Sequence, residues 1–152
     1  MRSVSCLSNL RPQQIKSEIF EQFEKVYENT AFSGGPFVES FENAFAEYCE
    51  VPHAIAVNNG TNALHLALLA LGIGEGDEVI VPAQTHVATA HAVEYTGAKA
   101  IFADVDRLSG NILVSELKAK FSSATKGVIP VHMAGHPCIM DEIVEFCKEH
   151  DL

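Results

Sequence analysis

From residue 54 onward, short apolar runs alternate with stretches of helical periodicity. Residues 54–57 (AIAV) read as a strand, and 61–71 as a helix that ends at Gly72. Residues 78–81 (EVIV) form a second strand, stopped by Pro82. Residues 87–95 are helical in composition, with Gly97 as their C-cap. Lys99–Ala103 (KAIFA) and residues 127–131 (GVIPV) are further strands. Helices are predicted over 114–121 and over 139–150, the latter starting near Asp141. Short apolar strands separated by helices make βαβ units, hence an α/β fold with a mostly parallel sheet covered by helices on both faces. Crossovers of this kind are right-handed.

The first fifty residues follow a different period. Residues 13–29 and 37–49 are predicted helices, with apolar stripes formed by Ile15, Ile19, Phe23 and Val26, and by Phe41, Phe45 and Tyr48. Between them, residues 31–36 (AFSGGP) make a turn-rich joint. The predicted organisation is a helical N-terminal arm over 1–50 followed by an α/β layer over 51–152. No internal repeat or low-complexity segment interrupts it.

Composition narrows the partners. The 152 residues carry a net charge of −10, with acids spread along the chain. This argues against nucleic acid and against an anionic membrane surface. No apolar run approaches the ~20 residues a bilayer crossing needs, and the N-terminus lacks the apolar stretch of a secretory signal. The four cysteines, Cys6, Cys49, Cys138 and Cys147, have no paired spacing. They fit reduced thiols of a cytoplasmic protein, mostly buried as small hydrophobes. A metal site from His132, His136 and Cys138 would need ligands on a Pro- and Gly-containing turn without that spacing, and no metal is expected.

The strongest chemical signal is AVNNGTNAL. A strand breaks on Asn58-Asn59-Gly60, and Thr61 opens a helix. Glycine lets a ligand approach the backbone, Thr61 can cap the helix and offer its hydroxyl, and the next amides are unpaired. Such a turn binds an anion, typically a phosphate; the same pattern also fits a capped, buried helix without a ligand. There is no Walker lysine, which disfavours nucleoside triphosphate hydrolysis. The glycines of 72–77 (GIGEGD) follow a helix and precede a strand, the reverse of a dinucleotide fingerprint, and read as structural.

At the carboxyl end of the 78–81 strand stands His86, where open α/β sheets place ligands. Its ring could stack on a planar ligand or serve as a local hydrogen-bonding group. His132 and Asp104 share that edge. Asp104 and Asp106 read as turn formers rather than as a cation pair.

Three segments, FSGGPFVESFENAFAEY (32–48), AVNNGTNALHLALLALGIGEGDEVIVPAQTHVATAHAVEYTGAKAIFADVD (56–106) and TKGVIPVHMAGHPCIMDEI (125–143), resemble the N-terminal part of the DegT/DnrJ/StrS family of sugar aminotransferases. The resemblance implies pyridoxal 5′-phosphate as cofactor. It also implies the large domain of a type I, aspartate aminotransferase-like transferase, present here in part. By the same resemblance, Gly60, Thr61 and Asn62 cradle the cofactor phosphate and His86 stacks on the pyridine ring. Asp104 and His132 line the same cavity, and 32–36 lies near a sugar-nucleotide site. The aspartate that pairs with the ring nitrogen and the Schiff-base lysine are expected beyond Leu152, with no catalytic residue within the chain.

Lys126 and Lys148 do not match the lysine's position. The implied activity of the parent is transfer of an amino group, typically from glutamate, to a nucleotide-linked keto-sugar in amino-sugar and polysaccharide biosynthesis. A homodimer is implied for the full protein, and the chain alone is expected to be inactive. A related sugar dehydratase, in which the lysine is replaced by histidine, and a non-catalytic regulatory or binding relative are the alternatives.

Overall fold

The computed structural model describes residue 13 and residues 15–152. The chain divides into two compact units, Met1–Ala56 and Val57–Leu152. In the first, α1 (Lys16–Glu28) and α2 (Pro36–Tyr48) are joined by a turn in which Gly34 and Gly35 take positive φ. Pro36 supplies the first residue of α2, where its missing N–H leaves no bond unmade. Both apolar stripes form as expected, but Ile19, Phe23, Phe41, Phe45 and Tyr48 are exposed. Phe41 and Phe45 stack on each other, with ring centroids 5.7 Å apart.

The second unit runs α3 (Gly60–Ala70), β1 (Glu78–Pro82), α4 (Ala88–Glu94), β2 (Lys99–Ala103), α5 (Val114–Lys120), β3 (Thr125–Val128) and α6 (Met140–Glu149). The three strands form a parallel sheet in the order β2-β1-β3. Central β1 is covered on both faces, so Val79, Ile80 and Val81 are fully buried and the strand reads as one continuous apolar run. Its side chains still alternate. Val79 and Val81 pack with Leu68 of α3, Ala92 and Val93 of α4, and Ile73. Ile80 points the other way, toward Leu117 of α5 and Ile143 and Phe146 of α6.

α3 ends where the sequence places its glycine. Gly72, at φ +77, donates to the Leu69 carbonyl, and the Ile73 N–H donates to Leu68. These two bonds make a Schellman cap, which needs the left-handed conformation glycine adopts freely. Asp77 then closes the turn into β1 by accepting the Gly74 N–H at 3.0 Å.

Two strand expectations are corrected. Residues 54–57 form no strand: among the described residues no ladder includes them, the Ala56 N–H donates instead to the Glu42 carboxylate at 2.7 Å, and Ile55 is 83% exposed. Apolar character alone does not make a strand without a neighbour to bond. The 127–131 strand shifts to Thr125–Val128. Glu78 pairs with Thr125 and Val79 with Gly127, so Lys126 is bulged, and the last ladder bond runs from Ile129 N–H to the Ile80 carbonyl. Pro130 has no N–H with which to continue.

Candidate functional site

The strand order creates a place for a ligand. From β1 the chain passes through α4 on one face to β2, and from β3 it passes to α6 on the other face. Neighbouring strands whose connections leave to opposite faces define a switch point, and the carboxyl ends of such strands flank a crevice. His86 follows β1 there, His132 follows β3, and Asp104 follows β2.

Each of these three side chains has a local partner. His86 is exposed, and its Nδ1 accepts the Ala88 N–H at 3.1 Å, which ties the ring to the first residue of α4. Behind it, the hydroxyls of Thr85 and buried Thr89 lie 3.1 Å apart and fasten the same loop to the helix. His132 Nδ1 accepts the Cys138 N–H at 3.0 Å, and the Cys138 thiol donates to the Val131 carbonyl at 3.2 Å. Burial raises the Cys138 pKa. Asp104 Oδ1 accepts the following Val105 N–H at 2.8 Å.

Asp106 Oδ1 accepts the Ser109 N–H (2.8 Å), the Ser109 hydroxyl (2.9 Å) and the Leu108 N–H (3.1 Å). The Ser109 amide, more than any other group, holds this carboxyl below the usual carboxylate range. Both aspartates are turn formers. Cys49 is exposed, against the expectation of buried thiols; Cys147 is half-buried, and Cys6 lies outside the described residues.

The second component is the start of α3. Gly60 is its first residue, so Thr61 is inside the helix and does not cap it. The cap is Asn59, whose extended backbone turns the chain and whose Oδ1 accepts the Asn62 N–H at 2.9 Å. Asn62 is further tied by its side chain, which donates to Asn58 Oδ1 at 2.7 Å. The Gly60 and Thr61 amides and the Thr61 hydroxyl bond to no described residue. A Cβ built on Gly60 would meet no atom within 4 Å. Two adjacent amides, a hydroxyl and open space thus stand at the positive end of an 11-residue helix, which fits a phosphate group.

Sequence reasoning missed two asparagines. Asn59 was legible, because asparagine just before a glycine-led helix is a leading N-cap residue. Asn111 was not. It is buried, its Nδ2 donates to the carbonyls of His136 and Pro137 at 3.0 Å each, and its Oδ1 accepts the Met133 N–H at 3.0 Å. One side chain from the β2–α5 loop therefore shapes the loop that follows β3. A cavity of about 390 Å³ opens beside it, lined by Asp106, Ser109, Asn111, His136 and Glu142 among others, and contains none of Gly60, Thr61, Asn62 or His86.

The sequence profile described as the DegT/DnrJ/EryC1/StrS aminotransferase family matches residues 13–152. The chain belongs to this family. Among curated relatives of this DegT/DnrJ/EryC1/StrS chain, the GDP-perosamine synthase of Escherichia coli O157:H7 is 51% identical over 120 residues, covering 79% of the chain and 33% of the relative. Among solved structures, S. venezuelae DesV in complex with a ketimine intermediate superposes with a TM-score of 0.89 at 37% identity, covering 93% of the chain and 38% of DesV. NtdA of Bacillus subtilis, with bound cofactor PMP, gives 0.87 at 31% identity, covering 91% and 32%. The fold is that of the type I aminotransferases, present in part, and the chain spans about a third of the length of the curated relatives it matches. Among the described residues no helix is long and apolar enough to cross a membrane.

Proposed function

We propose that this chain is the phosphate-holding part of a pyridoxal-phosphate enzyme that moves an amino group from an amino acid, typically glutamate, to a nucleotide-linked keto-sugar. Family membership supports the reaction class, and 51% identity to a GDP-perosamine synthase supports a GDP-linked sugar as the acceptor. The observation that carries the reading is the start of α3, with two amides and a hydroxyl that bond to no described residue and an open approach. When bound, pyridoxal phosphate supplies an electron sink that lets the amino group pass between donor and acceptor.

The chain's own residues hold that group in place. The amides of Gly60 and Thr61 and the Thr61 hydroxyl donate to the phosphate, each as a charge-assisted bond. His86 offers a ring face whose orientation is fixed by the Ala88 amide. The lysine and aspartate that complete the reaction lie outside these residues, so the 152 residues alone do not turn over. The working enzyme is a cytoplasmic homodimer, in keeping with the family.

The test is an assay of the full-length enzyme carrying this chain, with glutamate as donor and a GDP-linked keto-sugar as acceptor. Steady amino transfer that depends on added pyridoxal phosphate is expected. Absence of transfer to any nucleotide-linked keto-sugar, with the cofactor bound, would overturn the reaction assignment.

A further inference from the structure

We propose that Asn59 is a displaceable stand-in for the anion at the start of α3. The inference rests on reading that turn as a phosphate site. The first amides of a helix point the same way along its axis, so an anion seated over the helix start is drawn to all of them. Here the Gly60 and Thr61 amides bond to no described residue, while the third, Asn62 N–H, is bonded to Asn59 Oδ1 at 2.9 Å. A side-chain oxygen therefore occupies the position that an oxygen of the anion would take.

Two further contacts let that side chain leave without unravelling the helix. The Ala63 N–H is bonded to the backbone carbonyl of Asn59, at 3.1 Å, and not to its side chain. The Asn62 side chain is held separately by Asn58 at 2.7 Å. Charge then sets the order of preference. A hydrogen bond to a charged phosphate oxygen is roughly twice as strong as one to a neutral carboxamide. The Asn62 amide goes to the anion when one is present and to Asn59 when none is. The helix start is thus kept in its binding geometry while empty, and the strength of the Asn59 cap is subtracted from the affinity for the anion.

The test is to titrate the ¹⁵N-labelled chain with inorganic phosphate and follow its amide resonances. Gly60 and Thr61 should move, and the Asn62 amide and the Asn59 side-chain carboxamide should move with the same dissociation constant. Asn59→Gly removes the side chain yet leaves a residue that helix starts tolerate well. It should bind phosphate roughly 1.5- to 2-fold more tightly, the range that the small difference between asparagine and glycine as caps converts to. Asn59→Asp keeps the acceptor and adds a negative charge, and should bind more weakly than the wild type. Movement of Gly60 and Thr61 with Asn62 still, or equal or weaker binding by Asn59→Gly, overturns the proposal and leaves the phosphate turn standing. If Gly60 and Thr61 do not respond in the wild type, the phosphate turn falls and the proposal with it.

Discussion

Thr61 and His86 are asked to do different physical jobs, and substitution separates them. The Thr61 hydroxyl has no described partner, so its loss should cost the fold little and the ligand much. Thr61→Val is expected to weaken pyridoxal phosphate retention by about 1.5–3 kcal/mol, the worth of one hydrogen bond to a charged group. α3 should stay intact by circular dichroism, and unchanged affinity would remove the side chain from the site. For His86 the issue is whether a flat face or a nitrogen is needed. His86→Phe keeps the face but cannot accept the Ala88 N–H. If stacking is the role, Phe should hold the cofactor nearly as well as His, while Ala should lose it and shift its absorbance. Equal damage from Phe and Ala would assign the role to hydrogen bonding. At this scale the sequence pointed to the right neighbourhood and misassigned one job: it gave the cap to Thr61, which the structure gives to Asn59 two positions earlier. A hydroxyl one residue inside a helix and a capping group one residue before it look alike in a string, because both residue types favour helix starts.

Among the elements, those that bury both faces were legible and those that depend on a distant partner were not. β1 falls where its apolar run places it, since a strand packed on both sides must be apolar throughout; β2 also falls where its run places it, though at the sheet edge it leaves Lys99 and Phe102 exposed. Residues 54–57 have the same composition and no ladder, because backbone pairing is a property of two segments and composition describes only one. Pro130 was the overlooked signal that β3 ends early. Asn111 was illegible for a related reason: its three partners lie 22 to 26 residues away. Its substitution tests how much the loop after β3 depends on it. Asn111→Leu preserves volume but leaves the Met133 amide and two carbonyls without their partner. A loss of about 1–3 kcal/mol in urea unfolding is expected, together with faster hydrogen exchange at Met133. Unaltered stability would mean that the loop is held by its own turn, in which Ala134 and Gly135 take positive φ.

On the scale of the whole molecule, the positions of the lysines carry a prediction. Lys126 is the second residue of β3 and Lys99 begins β2, at the end of the sheet opposite to His86, Asp104 and His132. Lys99 is also paired with Glu78 at 3.7 Å, and Lys148 lies on α6. The loops leaving the carboxyl ends of the strands, 83–87, 104–113 and 129–139, contain Arg107 and no lysine. Incubation of residues 1–152 with pyridoxal phosphate and borohydride should give only scattered, substoichiometric labelling. One lysine labelled to completion would show that the chain holds its own carbonyl-binding amine. The central place of β1 also bears on how the chain folds. Its partner in β2 begins 21 positions after Glu78, across a single helix, whereas its partner in β3 begins 47 positions after it. Closing the longer loop costs about 0.6 kcal/mol more per doubling of length. The β1–α4–β2 unit should therefore assemble first as the chain leaves the ribosome, with the β3 side added to an edge already in place.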